Sequence, residues 1–429
     1  MNPFDRIVGY ETIRKELERT ADVLKNTEYY TRLGSEVPRG LLLYGRPGVG
    51  KTTMASAMID ASGRKVFLCR RDRPDGDFVW TINRTFSEAA EAGPSVVFLD
   101  DLDKFSKSEE GCSNEEEFVA VQAGIDSLQG KDVFVLATAN EIERLPDSLL
   151  RPGRFDKTIG VKNPTGEEAR SITGYYLSGK VLASDVEADV VADILSGNSC
   201  AVLEAAVNAA GILAGFERAE AITMKHLILG CIEVVHQVPP DLIVAGRKGS
   251  LENVEDEMTR TAWHEAGHAV VSELLRPGSV TLVCIHERRN DSQGFTAYAA
   301  SRQDSFAEMK YRLICGLAGN AALEQRFGLA ETGAASDLEQ VVEQLREAIE
   351  NDAYCGFPML RSHYMVSDGW LFATETAVSL QLQQLYSEAK RLLSSNMLFL
   401  SVVTEELLDK SLLTAKDIRR IKAACGFIV

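Results

Sequence analysis

The segment that most constrains the fold of this chain is the loop at residues 45–52, which reads Gly-Arg-Pro-Gly-Val-Gly-Lys-Thr. It fits GxxxxGK(S/T), a phosphate-binding pattern in which backbone N–H groups and a following helix N-terminus cradle nucleotide phosphates. A short apolar run at 40–44 precedes the loop, and a helical pattern at 52–59 follows it. A strand, a glycine-rich loop and a helix in this order predict an α/β nucleotide-binding fold.

The loop predicts which residues bind ATP and Mg²⁺. Lys51 is expected to reach the β- and γ-phosphates, and the Thr52 hydroxyl is expected to ligate Mg²⁺. Asp100 ends a second apolar strand and fits the carboxylate that accompanies the metal ion. The predicted cofactor-binding residues are Gly45, Pro47, Gly48, Gly50, Lys51, Thr52, Thr53 and Asp100.

Four further polar residues are candidates for ATP hydrolysis. Asp101 is the candidate for polarising the attacking water, and Asn140, at the end of a third apolar strand, is placed to orient that water or sense the γ-phosphate. Taken alone, an asparagine there is more often a cap or turn residue. Arg151 and Arg154 are candidate arginine fingers supplied in trans, which would stabilise charge on the transferred phosphate. Two isolated arginines are ordinarily surface charges.

A second motif, at residues 264–268, reads HExxH. On a helix, positions i and i+4 share one face, so the imidazoles of His264 and His268 can reach one metal ion. Glu265 beside them is placed to act as a base on a metal-bound water. HExxH also arises by chance in structural helices, and a hydrolytic zinc centre needs a third protein ligand.

The pattern along the chain predicts four regions. Apolar strands separated by helical stretches over 1–160 indicate a parallel sheet covered on both faces. Residues 161–236 are helical in pattern and are expected to form a lid, and Pro and Gly make 237–250 the predicted linker. Residues 251–429 are mostly helical in pattern, with one strand near 280–285.

Composition excludes several classes of partner. The 429 residues carry a formal charge of −17, which argues against a nucleic-acid partner and against a polybasic membrane tether. The eight cysteines form no CxxC pair, which favours reduced thiols. No run reaches the roughly 18–20 apolar residues of a membrane helix, and the N-terminus lacks the pattern of a signal peptide. These features predict a cytoplasmic protein without a membrane span.

Taken together, the motifs resemble the FtsH family of AAA+ zinc metalloproteases. The opening Phe-Asp-Arg-Ile-Val-Gly at 4–9 is similar to the FDDIGG-type start of these ATPase modules, and the phosphate-binding loop, Leu-Leu-Arg-Pro-Gly-Arg-Phe-Asp at 149–156 and HEAGH follow in family order. The resemblance implies an α/β AAA+ ATPase module, a parallel sheet with a helical lid, followed by a mostly α-helical zinc metalloprotease domain. It also implies a ring, normally hexameric, in which Arg151 and Arg154 reach the neighbouring subunit's nucleotide.

The resemblance supplies the missing metal ligand as well. The family uses an aspartate from a downstream helix, and Thr-Gly-Ala-Ala-Ser-Asp-Leu at 332–338 matches that segment. Asp337 is therefore the third candidate ligand of Zn²⁺, beside His264 and His268. The fourth position would be left for the water that Glu265 deprotonates.

The chain departs from the family at several positions. Asp101 stands where the family has glutamate, and a carboxylate misplaced by about 1 Å can cost about 100-fold in rate. The family's aromatic-hydrophobic-glycine pore segment is not intact. Phe78 is the candidate pore aromatic and Trp80 the second choice, with ordinary core packing an equal explanation. Family members are typically membrane-anchored, so we expect either a soluble relative, which we favour, or a chain whose anchor has been removed.

These observations predict an ATP-dependent zinc endopeptidase that unfolds, translocates and degrades unfolded or tagged proteins in a ring assembly, with an adaptor as a further candidate partner. Two alternatives stay open. One is an ATP-driven protein remodeller whose zinc helix is structural. The other is a nucleotide-regulated peptidase with weak ATP hydrolysis, which Asp101 favours.

Overall fold

The computed structural model describes most of the chain, namely residues 2–71, 77–105, 108–109, 112–113, 116–245, 257–286, 294–300, 305–328, 335–352, 354 and 368–425. The chain forms two compact units, Met1–Lys180 with Leu195–Ala205 and Val181–Ile194 with Ala206–Val429. Each unit has its own hydrophobic core. Residues 246–250 of the predicted linker lie outside the described residues. The boundaries of the four regions predicted from the sequence remain a prediction.

The first unit is built around a five-stranded parallel sheet with the order β2-β3-β6-β1-β7. Its strands are β1 (Gly40–Tyr44), β2 (Lys65–Cys69), β3 (Ser95–Leu99), β4 (Ser108–Glu109), β5 (Cys112–Ser113), β6 (Val133–Ala139) and β7 (Lys157–Gly160), of which β4 and β5 form a separate antiparallel pair. Its helices are α1 (Glu11–Lys25), α2 (Thr27–Arg32), α3 (Lys51–Ser62), α4 (Phe78–Glu91), α5 (Glu116–Ser127) and α6 (Glu167–Ser178).

The sheet confirms the predicted α/β fold and brings three functional segments to one edge. Every residue of β3 and β6 is buried, as expected for parallel strands covered on both faces. Because β1, β3 and β6 are parallel neighbours, their carboxyl ends meet. The phosphate-binding loop follows β1, Asp100 and Asp101 follow β3, and Asn140 follows β6. Ligands of such sheets bind outside the carboxyl ends of the strands.

The second unit is mainly helical, as the sequence predicts. After α7 (Ala188–Leu195) and α8 (Cys200–Phe216), which contribute residues to both units, its helices are α9 (Met224–Cys231), α10 (Pro240–Ala245), α11 (Glu257–Leu275), α12 (Phe306–Phe327), α13 (Ala335–Asn351), α14 (Asp368–Ser395), α15 (Met397–Lys410) and α16 (Ala415–Cys425). Strands β8 (Val280–Cys284), β9 (Phe295–Tyr298) and β10 (Leu412–Thr414) form an antiparallel sheet with the order β10-β8-β9.

Helix α11, which carries HExxH, is the central element of this unit. It packs against α12 and α15 and is buried along most of its length. Its crossing with α12 is close because Gly267 has no side chain, and a β-carbon there would lie 2.6 Å from the carbonyl oxygen of Ala318. None of the helices in the described ranges has the length and apolar character needed to cross a bilayer.

A buried ion pair fastens the C-terminal helix α16 to the end of α11. The Lys422 ammonium donates to the Glu273 carbonyl oxygen at 2.7 Å and to its Oε1 at 3.3 Å. Glu273 Oε2 also accepts the Gly278 N–H at 2.8 Å. Both charged side chains are at most 10% exposed. A buried charge that loses its partner is strongly destabilising, so this contact fixes the end of α11.

Replacing Lys422 with methionine should therefore lower the free energy of unfolding by about 3 kcal/mol, since Glu273 is left buried without its cation. Denaturant unfolding, followed by a spectroscopic signal from the second unit, measures the change. The double variant Glu273→Gln/Lys422→Met should lose less than the single variant. As a control, Lys410→Met breaks more exposed pairs with Glu406 and Asp417 and should cost less than about 1 kcal/mol. Equal losses for the two single variants would contradict the account.

Candidate functional site

The lysine of the phosphate-binding loop lies among oxygen acceptors at the carboxyl edge of the sheet. Its Nζ donates to the carbonyl oxygens of Gly45, at 2.7 Å, and Arg46, at 3.0 Å. It also donates to Oδ1 of Asn140 at 2.9 Å. Burial lowers the pKa of Lys51, against the opposing effect of the neighbouring aspartates. A buried ammonium held by weak neutral acceptors is well placed to exchange them for phosphate oxygens.

The glycines of the loop adopt conformations that other residues avoid. Gly45, Gly48 and Gly50 have φ values of 145°, 79° and 96°, in the left-handed region that favours glycine. A β-carbon at Gly48 would also lie 2.9 Å from the β-carbon of Ala201. Pro47 precedes Gly48 in the same loop, and Thr53 lies in the first turn of α3. The loop from Gly45 to Gly50 thus leads directly into α3, which places Lys51, Thr52 and Thr53 in the first turn of that helix.

A carboxylate and two hydroxyls offer the oxygen ligands that Mg²⁺ prefers. Oδ1 of the buried Asp100 accepts the Thr138 hydroxyl at 2.7 Å and the Thr52 hydroxyl at 3.3 Å. The guanidinium of Arg70 lies 3.5 Å from Oδ2. The pairing of Thr52 with Asp100 is the arrangement that the sequence predicts for the Mg²⁺ side of the site.

Asp101 is held in place by three contacts. Its backbone is left-handed, with φ 57° and ψ 51°, and its N–H donates to the Thr138 hydroxyl at 2.9 Å. Oδ1 accepts from Asn140 Nδ2 at 3.3 Å, and Oδ2 pairs with the Lys104 ammonium at 2.8 Å. The structure thus brings together the two residues predicted to handle the attacking water. It adds Lys104, which the sequence did not single out.

The two candidate fingers have different environments. Arg154 makes a two-bonded ion pair with Asp126, at 3.1 and 2.8 Å, and donates to the carbonyl oxygen of Ser148 at 2.6 Å. The hydrogen bonds from Arg154 lower the pKa of Asp126. Arg151, by contrast, is exposed. In the described structure the Arg154 side chain therefore links its own loop to α5 through Asp126, whereas the Arg151 side chain is exposed to solvent.

The two candidate pore aromatics also differ. Phe78 packs edge-on against Phe105, with ring centroids 4.8 Å apart, and belongs to the margin of the core. Trp80 is 55% exposed. Asp77 caps α4 by accepting the Trp80 N–H at 2.8 Å, which fixes the start of the helix. Core packing therefore explains Phe78, and Trp80 is the better candidate for contact with another chain.

In the second unit, three side chains converge on one point. The Nε2 atoms of His264 and His268 lie 3.0 Å apart, and Oδ2 of Asp337 lies 3.0 Å and 3.1 Å from them. Two ligands at about 2.0–2.1 Å from a tetrahedral zinc ion lie about 3.3 Å from each other. Asp337 comes from the first turn of α13. It is the side chain expected from the resemblance, and the packing of the helices brings it next to the two histidines of α11.

The chemistry of these atoms fits a cation. Nδ1 of His268 lies 2.6 Å from the Cys315 carbonyl oxygen, so this nitrogen carries the proton and Nε2 offers a lone pair. Burial disfavours a charged imidazole, but Asp337 and Glu265 outweigh it and raise the pKa of His268. Although burial opposes it, the bonds to both imidazoles lower the pKa of Asp337. A metal ion would satisfy all three groups at once.

Glu265 lies beside this triangle and is shielded from solvent. It is 4% exposed, and burial raises its pKa, against the effect of both histidines. Oε2 accepts the Thr296 hydroxyl at 2.8 Å. A β-carbon at Gly294 would lie 3.1 Å from Glu265 Cγ, so the β9 end of the sheet packs directly against the glutamate. A buried carboxylate beside three potential metal ligands is suited to proton transfer.

Single-sequence reasoning missed Thr296 and Gly319. A β-carbon at Gly319 of α12 would lie 2.5 Å from Nε2 of His268 and 2.5 Å from Cε1 of His264. The small residues Ala318, Gly319, Ala321 and Ala322 on one helix were a signal that another element approaches closely. Thr296 gave no signal, because only the folded sheet brings it to Glu265.

Comparisons with known proteins match the chain over the regions that contain these two sites. Residues 41–163 match the model of the ATPase family associated with various cellular activities (AAA), and residues 252–355 match Peptidase family M41. The chain is 30% identical over 422 residues to the ATP-dependent zinc metalloprotease FtsH of Lachnoclostridium phytofermentans, covering 93% of this chain and 71% of that protein.

Two further relatives are similar over nearly the whole chain. The ATP-dependent zinc metalloprotease FtsH 2 of Symbiobacterium thermophilum is 31% identical over 457 residues, covering 98% of this chain and 74% of that protein. The chloroplastic/mitochondrial ATP-dependent zinc metalloprotease FTSH 11 of Arabidopsis thaliana is 30% identical over 438 residues, covering 97% of this chain and 52% of that protein.

The contact of Gly319 with both imidazoles predicts the effect of adding a methyl group. Gly319→Ala should weaken zinc binding by about 100-fold, since the metal-facing nitrogen must move. Competition with a chromophoric chelator measures the affinity. Gly215→Ala is the matched control, because Gly215 is helical and a β-carbon there meets nothing within 4 Å. Unchanged zinc affinity in Gly319→Ala would contradict the geometry.

The raised pKa of His268 predicts a titration in the zinc-free protein. A raised pKa means that the imidazole keeps its proton to higher pH, so His268 should titrate above its ordinary value of 6.5. Asp337→Asn removes the main charge responsible and should lower the midpoint. NMR of the histidine ring signals measures both. A midpoint that Asp337→Asn does not lower would show that the carboxylate does not act on this ring.

Proposed function

Since the chain belongs to the FtsH family of ATP-dependent zinc metalloproteases, we propose that it acts as an ATP-dependent zinc endopeptidase. The observation that carries the proposal is the convergence of two imidazole nitrogens and a carboxylate oxygen within 3.1 Å, with Glu265 beside them. These residues offer three protein ligands and a base. That is the composition of a hydrolytic zinc centre with one position left for water.

The residues of the peptidase site have separate tasks. His264, His268 and Asp337 would hold Zn²⁺, which when bound supplies an acidic water and polarises a carbonyl group. Glu265 accepts a proton, and its burial keeps competing water away. Hydrolysis of a peptide bond requires such a base within hydrogen-bond reach of the water that attacks.

The nucleotide site would supply the driving force. Lys51 and the loop N–H groups bind the phosphates, and Thr52 with Asp100 would hold Mg²⁺. Asp101 and Asn140 contact each other and would orient the attacking water. Because Asp101 is one methylene shorter than glutamate, we expect slow hydrolysis.

We propose that the functional assembly is a homo-oligomeric ring, hexameric as is usual for the family, and that it acts on unfolded or tagged proteins in the cytoplasm. In such a ring Arg151, being exposed, would reach the neighbour's nucleotide, and Arg154 would position that segment through Asp126. Trp80 is the proposed pore aromatic. An adaptor stays a prediction from the sequence.

One alternative has an observation in its favour. The Asp101 carboxylate, which should polarise the attacking water, is engaged in an ion pair with Lys104. This favours a nucleotide-regulated peptidase, in which ATP binding organises the ring and hydrolysis contributes little. The pair is partly exposed and is worth at most about 1 kcal/mol, so the coupled protease stays the better proposal.

Degradation of casein by the zinc-loaded chain tests the proposal. We expect cleavage that requires ATP, is not supported by ADP and stops when a chelator removes zinc. Glu265→Gln should abolish cleavage while leaving ATP hydrolysis intact, because it removes the base and spares the nucleotide site. Cleavage that is indifferent to nucleotide would favour the regulated peptidase. Absence of any cleavage by zinc-loaded protein would overturn the protease proposal.

The proposed roles of the two arginines predict different defects in the ATPase. Arg151→Ala subunits mixed with wild type should depress activity more than in proportion to their share, because each would disable a neighbour's site. Arg154→Ala should in addition lower the melting temperature, since it breaks the pair with Asp126. Mixed-subunit ATPase titrations measure the first effect. A strictly proportional loss for Arg151→Ala would remove its role in trans.

A further inference from the structure

We propose that Thr296 is the positioning residue for Glu265: its hydroxyl fixes one carboxylate oxygen so that the other faces the metal-binding atoms. The inference rests on the proposed peptidase function and names a residue of the same site. It concerns a side chain outside HExxH, on strand β9, that the sequence did not indicate.

The contact is short and direct. Thr296 Oγ1 donates to Glu265 Oε2 at 2.8 Å and lies 3.1 Å from the Glu265 carbonyl oxygen. One hydroxyl therefore contacts both the side chain and the backbone of the same helical residue. A β-branched side chain has few χ1 rotamers, so the threonine presents its hydroxyl in a defined direction.

The carboxylate has little else to orient it. Glu265 is 4% exposed, so bulk water cannot solvate it freely, and Thr296 is its hydrogen-bond donor within the described part of the chain. Gly294 packs against the stem of the glutamate, near Cγ. The stem is thus fixed by packing and Oε2 by the hydroxyl. Oε1 is left as the oxygen that can accept a proton.

The strand that carries the hydroxyl is itself held on two sides. Thr296 is paired in register with Val283 of β8, a strand that is buried throughout. The preceding residue, Phe295, is buried and stacks on the His236 ring at 4.0 Å between centroids. A group supported by a paired strand and a ring stack can hold a catalytic carboxylate to the tolerance that catalysis needs.

The test compares two substitutions at one position. Thr296→Val keeps the branched shape and removes the hydroxyl, whereas Thr296→Ser keeps the hydroxyl and removes the methyl. With a short fluorogenic peptide, which needs no unfolding, Thr296→Val should lower kcat by about 100-fold with little change in KM, the cost of misplacing a reacting group by about 1 Å. Thr296→Ser should recover most of the rate. Thr281→Val, on β8, controls for the same exchange elsewhere in the sheet.

Two readouts separate positioning from a structural role. Zinc affinity should be unchanged in Thr296→Val, because the three metal ligands are not touched. The melting temperature should fall only by the cost of one lost hydrogen bond and stay above the assay temperature, so that the protein is fully folded where the rate is measured. A peptide hydroxamate, whose hydroxyl needs the glutamate as its acceptor, should bind Thr296→Val more weakly than wild type by calorimetry and bind Thr296→Ser nearly normally.

The outcomes are distinguishable from failure of the proposed function. Wild type that binds zinc and cleaves no peptide would refute the peptidase, and the order of hydroxamate affinities would still test Thr296. Full activity and full hydroxamate affinity in Thr296→Val would overturn the inference. So would equal losses in the valine and serine variants, or a loss of zinc or melting temperature that accounts for the loss of rate.

Discussion

The peptidase half of the structure depends on the placement of three electron-donating atoms within 3.1 Å of one another in a buried setting. Two imidazole lone pairs and a carboxylate repel each other unless a proton or a metal cation lies between them. Two glycines let the surrounding helices pack closely enough to bring these three groups together. Gly267 lets α11 approach α12, and Gly319 lets α12 run past the imidazoles without displacing them. The metal is thus the ion that this helical packing is shaped to hold.

The nucleotide half gathers charged and polar side chains for phosphate and Mg²⁺ at one edge of its sheet. The parallel order of the sheet brings the ends of β1, β3 and β6 together, so a lysine, two aspartates and an asparagine from distant parts of the chain share one site. Without nucleotide, these side chains hydrogen-bond to one another. Bound phosphate and Mg²⁺ would take the place of these contacts. The same edge carries Arg70 and Lys104, which form ion pairs with Asp100 and Asp101.

Motifs with fixed spacing could be predicted from the sequence because their geometry is local. The phosphate-binding loop and HExxH each need only one turn or one helix to bring their residues together, and the strands near them were recognisable as apolar runs. Asp337 was reached only through family resemblance, since nothing local joins it to His268. Thr296, Gly319 and Lys104 were not predicted, because their importance comes from elements that meet only in the fold.

The aromatic pair at the start of α4 shows the same limit. Phe78 and Trp80 lie two residues apart, and the sequence left a pore contact and ordinary core packing equally open for them. The position of Phe105 decides between them, and it buries one ring edge and leaves the other ring outside. Tertiary context, which a single sequence does not display, selects between side chains with equal local propensity.

X-ray absorption at the zinc edge tests the central claim most directly. The account predicts one zinc per chain with two imidazole nitrogens and oxygen ligands at about 2.0–2.1 Å, and no sulfur. A sulfur scatterer at about 2.3 Å, or a first shell without the multiple scattering of imidazole, would show that the metal is held elsewhere and would contradict the site described for α11, α12 and α13.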